Sequence, residues 1–62
     1  MDSNLKQEIL RTIVANENRM TFASISKAHP TIRLNDLHDL QTRMELALVD
    51  GNWIVLEWWK VS

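Results

Sequence analysis

Cysteine is absent from this 62-residue chain, so no disulfide can staple it and no cysteine-containing metal site can form. No stretch approaches the roughly 18 apolar residues that a membrane-spanning helix needs. A basic excess is missing as well. Seven Lys and Arg stand against eight Asp and Glu, for a net charge of −1, whereas nucleic-acid binders usually carry a basic footprint. The opening Met1-Asp2-Ser3-Asn4 lacks the basic start and apolar run of a signal peptide. The lack of cysteine fits a reducing cytoplasm, so the expectation is a soluble cytoplasmic protein with no membrane partner.

Proline and glycine occur once each, which makes both positions informative. Pro30 biases His29 away from helical backbone, so a helix arriving from the N-terminal side should end there. Gly51 sits in Asp50-Gly51 between apolar runs, a strong short-range hairpin signal, and the turn reads as Asp50-Gly51-Asn52. Residues 1–62 make one domain with no room for a second. A chain this short buries only about 60% of the surface its unfolded form exposes. Its stability must come from local signals, efficient packing or self-association. The initial Met and the capping signals argue against a fragment of a larger assembly subunit.

Leu5, Ile9, Leu10, Ile13 and Val14 make one stripe at helical period. Asp2, Ser3 or Asn4 can cap that helix, and Glu8 adds a carboxylate near its positive end. Lys6, Gln7, Arg11 and Thr12 occupy the opposite face, and the polar run Asn16-Glu17-Asn18-Arg19 ends the helix. Met20-Thr21-Phe22 reads as a short extended piece. A two-turn helix follows over residues 23–28, with Thr21 as N-cap and Phe22, Ile25 and Ala28 on one side. It is too short to stand alone and must pack on its neighbours.

After a turn over residues 29–33, plugged by Ile32, Asn35 or Asp36 can cap a third helix. Its stripe is Leu37, Leu40, Met44, Ala47 and Leu48, with Leu34 packing back as a staple. The period then changes to that of a hairpin. Leu46–Val49 and the long second segment Trp53–Val61 are rich in β-branched and aromatic residues, as strands are.

The order helix, short strand, helix, turn, helix, hairpin from Leu5 to Val61 resembles the winged helix-turn-helix superfamily. The likeness is closest at Met20-Thr21-Phe22-Ala23-Ser24-Ile25-Ser26, which looks like the opening of a helix-turn-helix. Residues 40–53 also carry it, although Ala47 stands where that superfamily usually has Gly. The resemblance implies an α+β fold with three helices and a C-terminal hairpin wing. It also implies a DNA-binding transcriptional regulator acting as a homodimer, of the compact kind typical of bacteriophage, prophage or plasmid. The third helix would then enter the major groove. Asn35, His38, Asp39, Gln41, Thr42 and Arg43 would read bases, and Lys27, Arg33 and Arg43 would meet phosphates. Against this, Asp36, Asp39 and Glu45 accompany Arg43, and the wing carries Asp50 and Glu57 with only Lys60 basic. The alternative is a protein-interaction module on the same scaffold, which binds or inhibits a partner through its acidic helix and Trp-rich hairpin.

All three tryptophans fall in the last ten residues. Strand alternation puts Ile54, Leu56 and Trp58 on one face, expected inward because it is wholly apolar. Trp53, Val55, Glu57, Trp59 and Val61 then face outward. Trp53, Val55, Trp59 and Val61 make a candidate interface for a second copy or another protein. The competing reading has the tryptophans complete a small core. His29 and His38, nine positions apart around Pro30, have poor zinc spacing. They read as a turn residue and a solvated helix residue. No nucleophile–base set, phosphate loop or paired-carboxylate cleft can be assembled. The expectation is therefore no enzyme, no metal, no cofactor and no small-molecule substrate.

Overall fold

The first apolar stripe becomes helix α1 (Ser3–Ala15), with Ile9, Leu10 and Ile13 buried and Leu5 and Val14 packed against them. Its N-cap is Asp2, whose carboxylate accepts the Asn4 N–H at 2.9 Å. The computed structural model describes residues 2–61, so the Met1 part of the N-terminal reading lies outside it. Glu17 and Asn18 take left-handed backbone at φ 64° and 56°, which turns the chain after α1.

Helix α2 (Phe22–Ala28) starts on Thr21, whose hydroxyl oxygen accepts the Ser24 N–H at 3.2 Å. The expected extended piece shrinks to Met20, and Phe22 is already helical because the Thr21 cap precedes it. His29 ends the helix. Its Nε2 lies 2.9 Å from the Thr12 hydroxyl, which itself donates to the Glu8 carbonyl, so the imidazole is the donor. This bond ties the end of α2 to α1.

Helix α3 (Leu34–Thr42) is shorter than its expected stripe. Arg33 occupies the N-cap. Asp36 caps from inside the first turn, its carboxylate accepting the Arg33 N–H at 3.0 Å. At the other end the Glu45 N–H donates to the Leu40 carbonyl and the Met44 N–H to the Gln41 carbonyl, a Schellman closure. Met44 holds its left-handed position at φ 62° and is three-quarters exposed. Met44, Ala47 and Leu48 are therefore not on the helix. Their spacing matches a helical stripe by coincidence of period. Glycine at Met44 would relieve a strain of roughly 1–2 kcal/mol, offset in part by greater freedom of the unfolded chain. Met44→Gly is expected to raise the thermal midpoint by a few degrees in a circular-dichroism melt. An equal or lower midpoint would contradict the strain.

Strands β1 (Leu46–Val49) and β2 (Asn52–Val55) form an antiparallel hairpin. Asp50 and Gly51 both have positive φ, 50° and 78°, as a two-residue type I′ turn requires. The turn pairs Val49 with Asn52, and so Leu48 with Trp53 and Leu46 with Val55. Cross-strand partners share a face. Leu46, buried as the chain leaves α3, therefore carries Trp53 and Val55 inward with it. The expected facing is reversed: Trp53 and Val55 are core, while Leu56 and Trp58 are exposed. Nor does β2 run to Val61. Its last ladder bond is from the Leu56 N–H to the Glu45 carbonyl, and Trp58–Lys60 form a short 3₁₀ helix.

The outer edge of β2 is closed by the turn after α1. The Trp53 N–H and C=O exchange bonds of 2.7 and 3.2 Å with Met20, forming a single bridge. The Val55 N–H and C=O are taken by the side-chain amide of Asn18 at 2.8 and 3.0 Å. The result is an α+β arrangement, three helices followed by a two-stranded antiparallel hairpin. Helix α1 packs on α2 and β2, and α3 packs on β1. Among the described residues no helix is long and apolar enough to cross a membrane.

Candidate functional site

Burial of Leu37 and Leu40 fixes the rotation of α3, which leaves Asn35, His38, Asp39, Gln41, Thr42 and Arg43 exposed. Asn35, His38, Asp39 and Thr42 recur at helical spacing and make one polar row. Two of them are engaged locally. The Thr42 hydroxyl donates to the His38 carbonyl at 3.0 Å, and His38 Nδ1 lies 3.1 Å from Gln41 Oε1. The His38 ring also meets Trp53 edge-on, with centroids 5.4 Å apart at 76°. The outer face of α3 is thus in contact with a core tryptophan through a single imidazole.

Three cations frame this row. Arg33 and Arg43 flank α3, and Lys27 is exposed in the last turn of α2. Asp36, counted against DNA binding by charge alone, is turned back onto the Arg33 amide, and its side chain is only 14% exposed. Asp39 remains the exposed carboxylate of the helix. The hairpin end is different. Asp50 lies in the tight turn, and Lys60 is held by Glu57 at 2.6 Å. That hydrogen bond and the Glu57 charge raise the Lys60 ammonium above its usual pKa.

The candidate interface set divides. Trp53 and Val55 are committed to the core and Val61 is half-buried against it, whereas Trp59 is exposed beside Trp58. Leu48, Val49 and Leu56 add further exposed apolar surface. Sequence reasoning did not find the open cleft of about 220 Å³ between α1 and the C-terminal segment. Nor did it find the Lys6–Glu45 ion pair at 3.2 Å, which joins α1 to the start of β1. Among the described residues no three His, Asp or Glu side chains gather as a metal site.

Compared with protein-family models, curated proteins and solved structures, the chain matches none.

Proposed function

We propose that this protein is a winged helix-turn-helix regulator that binds duplex DNA through α3, with the β1–β2 hairpin as its wing and no catalytic role. One observation carries the reading above the others. Helix α3 follows α2 across the turn 29–33 and presents an exposed row of Asn35, His38, Asp39 and Thr42 between two arginines. Asn and Gln side chains pair with adenine edges and Arg with guanine. Positive charge is also concentrated where this reading needs it. From Met20 to Arg43 three cations meet two carboxylates, one of which is occupied in capping. A small regulator of bacteriophage, prophage or plasmid type fits the compact size.

The test is a titration with duplex DNA at low salt, read by tryptophan fluorescence. A base edge that displaces the His38 ring should change the emission of Trp53. Affinity should fall with salt at about 0.9 log units per phosphate neutralised for each log unit of salt. Arg43→Ala is expected to weaken binding by roughly 1–3 kcal/mol if it reads a guanine, or to reduce the salt slope by about 1 if it meets a phosphate. Absence of binding at about 50 mM salt removes the DNA reading.

A second reading is favoured by the hairpin alone: a module that binds or inhibits another protein. Its tip carries Asp50, the lysine that follows it, Lys60, is paired with Glu57, and Leu48, Val49 and Leu56 expose apolar surface. A phosphate backbone gains little from such a wing. An apolar protein surface gains much more.

A further inference from the structure

Residues 57–61 carry both halves of a fit. Trp58 and Trp59 are 53% and 63% exposed, in edge contact with each other at 5.9 Å. Beside them Glu57, Lys60 and Val61 form one wall of the 220 Å³ cleft, whose apolar lining includes Leu10 and Val55. We infer that two copies of this chain pair about a two-fold axis at this segment, each placing the Trp59 indole in the cleft of the other.

The cleft itself limits its occupant. Small-molecule sites usually span about 300–1,000 Å³, and this space suits a single large side chain. Its lining combines apolar carbon with Gln7, Lys60 and the carboxylates of Glu45 and Glu57, which each pair with one lysine and keep further lone pairs. An indole matches that mixture, being an apolar body with one N–H that needs an acceptor. The placement favours a second copy over an unrelated partner. The knob and one wall of the hole share residues 57–61, and a two-fold operation that seats one knob necessarily seats the other.

The area suits a weak pair. A Trp side chain offers about 150–250 Å², so at the observed exposures each copy presents on the order of 200–300 Å² of indole. With both indoles wholly covered, and counting both copies and the surface they cover, the pair buries about 700–1,200 Å², the range of weak, concentration-dependent interfaces. Such pairing would also add burial that a chain of this length cannot supply alone.

Sedimentation of the whole chain across a micromolar to millimolar series, without DNA, tests the pairing independently of the DNA reading. Two variants address the two halves. Trp59→Ala removes the knob, and Gln7→Trp fills the hole from its α1 wall without replacing a buried residue. The native chain should shift from one-chain to two-chain mass. Each variant, checked for folding by circular dichroism, should raise the dissociation constant about tenfold or more. Mixing the two variants should recover dimers, because the knob of Gln7→Trp meets the open cleft of Trp59→Ala. A native chain that stays monomeric at millimolar concentration overturns the inference. So does a Trp59→Ala variant that unfolds or dimerises as the native chain does, or a mixture no tighter than its parts.

Discussion

Trp53→Ala is expected to remove a third or more of the folding free energy, whereas Trp59→Ala leaves the fold of the single chain intact. Trp53 is the largest side chain in the fully buried part of the core, at 2% exposure. Truncating a buried Trp costs about 3–5 kcal/mol through lost transfer energy and the cavity left behind. At about 0.05–0.15 kcal/mol per residue, a chain of 62 residues holds about 3–9 kcal/mol in total. One truncation therefore removes between a third and all of that stability. The loss spreads further, since Trp53 also anchors Met20 through two backbone bonds and supports the His38 ring of α3. Urea titration followed by circular dichroism should show the midpoint of Trp53→Ala fall by a third or more. A loss below about 1 kcal/mol would contradict its core position.

How much of this was legible before the structure depended on how far apart the deciding residues lie. The α1 stripe, the Thr21 cap and the Asp50-Gly51 turn are local signals, and each appears where its chemistry placed it. Apolar content is a poor guide to the facing of the hairpin, because Leu56 and Trp58 of the more apolar alternate set are exposed while Trp53 and Val55 are buried. The two-residue turn already contains the answer: it pairs Val49 with Asn52, so Leu46, Leu48, Trp53 and Val55 must share a face. The end of α3 was hidden for a different reason. Met44, Ala47 and Leu48 continue the helical spacing, and no glycine marks the left-handed residue that closes the helix.

The candidate site was legible in outline only. All six residues proposed as readers are exposed, and four of them, Asn35, His38, Asp39 and Thr42, lie opposite Leu37 and Leu40. That His38 leans on Trp53 depends on a contact across fifteen positions, which periodicity cannot see. The 3₁₀ turn at the C-terminus did leave a trace, in the Glu57–Lys60 pair at i,i+3 spacing. An unbroken strand would place those two side chains on opposite faces.

Asn18 is the residue whose role was least visible and whose replacement has the second-largest expected effect. Its amide lies 37 positions from Val55, yet it supplies both the acceptor and the donor that a neighbouring strand would provide. Val55 is 4% exposed, so water cannot readily replace those bonds. Leaving a buried N–H or C=O unpaired costs about 1–3 kcal/mol each. Asn is also among the few residues that tolerate φ near +56°, the value found here. Asn18→Ala is therefore expected to lose at least about 2 kcal/mol in a urea titration. Asn18→Asp separates the two bonds. The carboxylate still accepts the Val55 N–H but opposes the Val55 carbonyl, so the neutral acid is favoured in the fold. Its folded pKa then lies above the unfolded value near 4. The penalty is present at neutral pH and is relieved as pH falls through the folded pKa, where the protonated oxygen can donate to the carbonyl. Stability measured against pH, taken as the difference from the native chain, should show the deficit of Asn18→Asp shrink in acid while that of Asn18→Ala does not. Equal deficits at every pH would mean that the donor half of the amide contributes nothing to closing the sheet.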